Sequence, residues 1–385
     1  MMKKQSFTHS RKPKFGMRKL SIGLASCMLG MMFLTTGHVS GEVVEVWPNG
    51  QNPNGKTEIL SQTEHSEHLQ KLRDIEDFQA QKQADHVRYT KWLDGVTVDE
   101  HEFRKIKEYD SEYYVTPLLS GKGYYDINKD FNQDSDKCAA AVAANMFHYW
   151  FDRNRDSINR FLSQSPGENG VIKLENEETI EVSKFLETYR SDGDYLDKSP
   201  FFDLISNSFK GPVWANKLLD AYINGYGYIH KFAKNTPHSK NNNSKFNFFK
   251  KVFDGNLLTD IHQIFDYNTF SDKLSEALYT GKAIGLAYGP GNLRRSLGHI
   301  ISVWGADLDD QNRVVAIYVT DSDDKKLTIG NERVGLKRYK VSSDDQGRAR
   351  LTTRDKDNTG GEIRSIETLD MGTQEWADYF NKTEK

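Results

Sequence analysis

The chain has 385 residues, 37% of them hydrophobic and 28% charged, which is ordinary globular composition with enough apolar residues for a sizeable core. Lys and Arg total 52 against 55 Asp and Glu, a net charge of −3, so nothing points to a nucleic-acid partner. No apolar run near the ~18 residues of a membrane span occurs beyond the N-terminus, so the mature chain is not expected to cross a membrane.

The N-terminus carries Lys3, Lys4, Arg11, Lys12, Lys14, Arg18 and Lys19, then an apolar stretch over 22–34, then small residues. Val39 and Gly41 fall at the −3 and −1 positions of a cut before Glu42. Basic, apolar and small-residue regions in that order predict a secretory signal over 1–41; a membrane anchor would need a longer apolar core and a stop-transfer pattern. Residues 15–26 (FGMRKLSIGLAS) also resemble the YSIRK-type signals of Gram-positive surface and secreted proteins. No LPxTG-like sorting motif is seen near the C-terminus, so release is expected rather than wall attachment.

Of the two cysteines, Cys27 leaves with the signal and Cys138 stays alone. The mature chain then has no intramolecular disulfide, and a single thiol in a secreted protein is either an inert core residue or a reactive one.

Residues 42–91 read as an N-terminal extension. An extended lead-in over 42–56 is followed by a hydrophilic stretch, 57–90, with Leu69, Leu72, Ile75 and Phe78 at spacing three. That spacing predicts a helix with a narrow apolar stripe, or an arm only partly ordered. The remainder, 92–385, reads as one globular domain interrupted by a polar loop at 235–245.

After Cys138 comes AAAVAANMFHYWFDRNRDSINRFL, alanine-rich, free of Gly and Pro, with Val142, Met146 and Trp150 at spacing four. This predicts a buried helix with Cys138 in its first turn and Asp134, Ser135 and Asp136 as candidate caps. A thiol there faces unpaired amides and the positive end of the helix dipole, which favour thiolate.

Residues 299–306 (HIISVWGA) and 314–320 (VVAIYVT) are β-branched, aromatic-rich runs flanking a polar turn at 307–313. They predict an antiparallel hairpin. With the hairpin symmetric about Asp310, His299 would face Asp321 and Val303 would face Ile317, and Asp323 would point to the same side as Asp321.

A thiol nucleophile needs a base, and the base needs a group that orients it. Cys138, His299 and Asp321 supply those types in the chain order of papain-like proteases, and Asp323 could orient as well. The oxyanion of acyl transfer would be met by the Cys138 amide and by Lys129 as a second donor. Metal chemistry fits less well. Asp321, Asp323 and Glu332 match three positions of a calcium loop, but Lys325 and Lys326 stand where an oxygen ligand and glycine are needed. No H-E-x-x-H, zinc cysteine pair or phosphate loop is present.

Residues 136–162 (DKCAAAVAANMFHYWFDRNRDSINRFL) resemble the active-site helix of the streptococcal IgG-degrading cysteine endopeptidases, the IdeS family. Residues 298–324 resemble that family's His-to-Asp hairpin, with WGAD (304–307) and YVTDSD (318–323) matching as they stand. GYYDINKDFN (123–132), AYINGY (221–226), AIGLAY (283–288) and ETLDMG with EW (367–376) are similar to further family segments. The resemblance covers about 92–376, and Ala139 stands where the family has Gly. It implies an α+β, papain-like fold, with the active site between a helical part and an antiparallel sheet part. It also implies a secreted enzyme that cleaves immunoglobulin G heavy chains near the lower hinge without a cofactor. The roles it implies are Cys138 as nucleophile, His299 as base, Asp321 and Asp323 as orienting acids, and Lys129 as oxyanion donor. Readings from other classes are an immunoglobulin- or receptor-binding decoy without catalysis, and a cysteine hydrolase acting on cell-wall peptide.

Overall fold

The computed structural model describes residues 62–384 apart from 109–110, 130–136, 174–178, 186–198, 208, 210–212, 226–246, 255, 291–297, 325 and 353–360. The expected signal (1–41), the lead-in (42–56) and the polar loop (235–245) therefore lie outside the described residues. The chain divides after Glu67 into two units, Met1–Glu67 and His68–Lys385. All the described strands belong to the second unit.

The β-branched run after Gly298 forms the predicted hairpin, β8 (His299–Leu308) and β9 (Val314–Thr320). Asp309 closes its turn by accepting from the amides of Gln311 and Arg313, and Asn312 takes the left-handed conformation at φ 59° that asparagine tolerates. The register differs from the symmetric one. Val303 faces Val319 and Ser302 faces Thr320, with irregularities that leave Trp304 and Val315 unpaired in the ladder. Val303 therefore sits two residues away from its expected partner, and β9 ends before Asp321.

Around this hairpin lie β7 (Ala283–Pro290), β11 (Glu332–Ser343), β12 (Ala349–Leu351) and β13 (Gly361–Leu369). The pairings run β8–β7–β13–β12–β11–β9 and return to β8, all antiparallel. This is a closed six-stranded barrel. Five further strands extend it: β1 (Tyr89–Trp92) on β8, β2 (Arg104–Glu108) on β3 (Ser111–Pro117), β3 on β11, β6 (Thr259–Gln263) on β13, and β10 (Thr328–Ile329) on β11. A separate ladder joins β4 (Val171–Lys173) and β5 (Thr179–Glu181).

The closed barrel corrects the papain-like assignment. Ladder irregularities in β8, β9, β11 and β13 add local twist, and twisted, bulged strands curl a sheet until its edges meet.

The WGAD segment serves this barrel. Asp307 is fully buried on β8 and accepts from Tyr318, Thr90 and the Arg338 guanidinium, the last at 2.7 Å. A side chain at Gly305 would strike the Trp92 ring, 2.4 Å from where its Cβ would stand, so glycine lets β1 lie close. Arg338 also reaches Asp85 at 2.9 Å, tying β11 to the end of α1 (Gln62–Ala84). That helix forms where the apolar spacing predicts one, but its face differs. Asp74, Phe78 and Lys82 are buried at spacing four while Leu72 is exposed, because 3.6 residues per turn carry a spacing of three off the face.

The predicted cysteine helix is α2 (Cys138–Arg153), and Ala139 to Phe151 are all buried. It ends at Asn154, whose backbone and side-chain N–H groups both donate to the Trp150 carbonyl, and α3 (Arg155–Gln164) starts afresh. The sequence pattern reads these as one helix. α2 packs against α4 (Pro200–Ser206), α5 (Ala215–Ile223) and the outer face of β7 and β8. Its aromatic end, with Phe147, Trp150 and Phe151, meets Phe201, Phe249 and Trp376 in one cluster. Further helices include α6 (Lys250–Phe253), α7 (Tyr267–Tyr279) and α8 (Thr373–Thr383). Among the described residues no helix is long and apolar enough to cross a membrane.

Candidate active site

Helix α2 presents Cys138 at its first position, half-buried. No side chain caps this end: Lys137 is the N-cap residue, and the first intrahelical bond comes from the Ala141 amide to the Lys137 carbonyl. The candidate caps Asp134, Ser135 and Asp136 lie outside the described residues. Lys137 instead anchors the turn, donating to the carbonyls of Ser206 and Phe209 at 2.8 and 2.6 Å. The first turn of the helix itself holds no acidic residue, and its unpaired amides give Cys138 the positive end of the helix dipole.

His299 opens β8, and its side chain is 18% exposed. Its Nε2 donates to Asp321 Oδ1 at 2.6 Å. Asp321 follows the last residue of β9, is fully buried, and also accepts the Asp323 amide at 3.0 Å. That second bond turns the chain so that Asp323 comes within 3.9 Å of His299 Nδ1. With Nε2 engaged by Asp321, Nδ1 is the nitrogen that serves the hydrogen bond between His299 and the Cys138 thiol.

Lys129 is buried, and its ammonium lies 2.8 Å from Asp323 Oδ1. Its amide donates to the Ser322 carbonyl, so the strand end that carries the aspartates also fixes the lysine. The structure brings together all five residues singled out in the sequence.

Burial pushes the Cys138 thiol up, but the hydrogen bond and charge of His299, the charge of Lys129 and a hydrogen bond from the Ile300 amide outweigh it, and the thiol falls below 9.0. Burial pushes His299 down, but the charge and hydrogen bond of Asp321, the bond to Cys138 and the charge of Asp323 raise it to about 10. The two shifts favour a thiolate–imidazolium pair at neutral pH. His299, Asp321 and Asp323 also place three ligand-capable atoms within 4.8 Å of one another. The Lys129 ammonium already supplies a cation to that group, which disfavours a metal ion there.

Three supporting residues carry no signature as catalytic candidates. Asn145, buried within α2, accepts from the Ile127 amide and donates to Ser302 Oγ, both at 3.1 Å. It links the segments that hold Cys138, Lys129 and His299. A polar residue inside an alanine-rich apolar stripe was the one signal pointing to it. Thr320 accepts from Trp304 Nε1 and donates to the Tyr125 carbonyl, both at 2.9 Å, latching β9 to the same segment. Asp126 is buried, and burial, with Asp324 adding, pushes its carboxyl well above the usual range.

A family model described as Mac 1 matches residues 34–376. A Streptococcus suis (strain P1/7) protein named "IgM protease" is 30% identical over 370 residues, 91% of this chain. The chain spans 30% of that relative's length.

Proposed function

Because this chain belongs to the Mac-1 family, we propose that it is a secreted cysteine endopeptidase that cuts the heavy chain of an immunoglobulin. The observation that carries this reading is the Cys138–His299–Asp321 set, a helix-start thiol whose acidity is raised by an imidazole that is itself held at 2.6 Å by a buried carboxylate. The Cys138 thiolate attacks the scissile carbonyl. His299 passes its Nδ1 proton to the leaving amine, giving an acyl-enzyme that water then hydrolyses with the imidazole as base. Asp321 holds the tautomer and stabilises the imidazolium. The Cys138 amide and the Lys129 ammonium are the donors assigned to the oxyanion.

The substrate assigned is immunoglobulin G, cut near the lower hinge. The name of the S. suis relative favours immunoglobulin M as a second reading. Incubating the protein with purified immunoglobulins of several classes and hosts, and looking for heavy-chain fragments, decides between them. A panel left uncut refutes the substrate class. Block by iodoacetamide and indifference to EDTA are expected of thiol chemistry. A Cys138→Ser variant that still neutralised antibody would point to a decoy, and release of peptidoglycan fragments to a cell-wall hydrolase.

A further inference from the structure

Strand β13 carries one extra residue against β7. Ile363 pairs with Tyr288 and Ser365 with Ala287, which leaves Arg364 as the bulged residue. A bulge re-aims its side chain. Here the guanidinium reaches over β7 toward β8. A Cβ at Gly289 would stand 2.4 Å from Arg364 Nη2, and one at Gly298 would stand 3.5 Å from Nη1. Two glycines thus form a flat bed for the planar group.

The bed faces helix α2. A Cβ at Gly285 would meet Val142 of α2 at 3.0 Å and Ile300 at 3.3 Å. Gly289 lies four residues beyond Gly285 and Gly298 two before Ile300, so strand alternation puts both on that same face. Val142 lies one helical turn after Cys138, and Gly298 directly precedes His299. Two residues along a strand cover about 7 Å. The guanidinium therefore lies on the sheet just past the start of α2, beside the nucleophile.

Nothing among the described residues satisfies it. Nη2 is buried without a hydrogen-bond partner, and no carboxylate pairs with Arg364. A permanently charged fork left without oxygen partners is costly, and a ligand oxygen would offset that cost.

We propose that Arg364 is a ligand-binding residue of the cleft, taking a carboxylate or carbonyl oxygen of the chain seated against Cys138. This rests on the reading of Cys138 as the nucleophile.

Iodoacetate and iodoacetamide probe it, since they alkylate through the same carbon and differ in charge. Replacing Arg364 by Gln should lower the ratio of their rates at Cys138 about three- to ten-fold, the effect of one charge at this range in a half-solvated cleft. Arg364→Lys should keep most of the ratio. An unchanged ratio in Arg364→Gln, or a Cys138 that neither reagent modifies, overturns the proposal. Alkylation needs no immunoglobulin, so an uncut immunoglobulin panel with a shifted ratio would sink the substrate reading and leave this one standing. Peptide pairs differing only in Asp against Asn then identify the oxygen. Stronger protection of Cys138 by the Asp peptide, lost in Arg364→Gln, assigns a carboxylate. Equal protection, weakened in Arg364→Gln, assigns a main-chain carbonyl. Protection that Arg364→Gln leaves intact overturns the proposal.

Discussion

Lys129 Nζ lies 2.8 Å from Asp323 Oδ1, whereas the nearest approach of Asp323 to the His299 ring is 3.9 Å. Asp323 is thus first the counter-ion of the lysine, and Asp321, at 2.6 Å from Nε2, is the orienter of the imidazole. Two aspartates two residues apart hold different posts because the strand ends between Thr320 and Asp321 and the chain turns there.

The two carboxylates should therefore separate in kinetics. Asp321→Asn removes the charge that holds the imidazolium and is expected to lower kcat on the order of 10³-fold. Asp323→Asn should cost about ten-fold, because the Asp321–His299 bond survives it. Steady-state cleavage rates of both variants check this, and equal losses would refute the division.

The shifts of the thiol and the imidazole also fix a pH behaviour. Alone, His299 raised to about 10 stabilises the fold fully below pH ~6.5 and loses that contribution as pH rises toward 10. Cys138, lowered from 9.0, does the reverse, contributing fully above 9.0 and losing it as pH falls through its folded value. Where the two ranges overlap below pH 9.0, the contributions run in opposite directions and offset one another in the wild type. Cys138→Ala uncovers the histidine term. Its melting temperature should fall relative to wild type across that window, with a slope of at most about 1.4 kcal/mol per pH unit. Parallel melting curves at pH 7 and 8.5 would contradict the ion pair.

Asn145 is expected to matter to both fold and site. Asn145→Leu strands the buried Ile127 amide and Ser302 hydroxyl at a cost of about 1–3 kcal/mol for each group left unsatisfied. Urea unfolding measures this. Iodoacetamide reactivity of Cys138 should drop in the same variant, as the segments holding its neighbours lose their shared tie.

Arg338 bridges two buried carboxylates, at 2.7 Å to Asp307 and 2.9 Å to Asp85. Arg338→Met leaves Asp85 with Lys340 at 2.7 Å and Asp307 with Lys82 at 3.6 Å, so the expected loss lies at or below the lower end of the about 3–5 kcal/mol of a broken buried pair. The loss should shrink when Asp307→Asn is added, since the double variant no longer buries that charge.

Much of the site was legible before the fold. A lone thiol at a helix start and a histidine before a β-branched run named Cys138 and His299, and the hairpin placed Asp321 near the ring. The route differed: with the register displaced by two, the carboxylate arrives by a turn after β9 rather than from across the ladder. Ladder irregularities at Trp304 and Val315 leave no pattern in side-chain alternation, which is why symmetric counting missed them. The barrel was hidden for a related reason. Closure depends on β12, three residues long, joining β11 to β13, and no periodicity resolves so short a strand. Arg338 was hidden because burial, and not residue type, makes a polar side chain structural, and Asn145 showed only as a polar break in an apolar stripe.

Among the described residues β13 is the last strand in chain order, and it inserts between β7 and β12. β7 in turn flanks the half of β8 that begins with His299. A chain growing from its N-terminus exposes Cys138 long before Leu369 exists, so the thiol spends its synthesis without a fixed base. The barrel that carries His299 closes only through this late strand, so the surroundings of Cys138 depend on residues made long after the thiol.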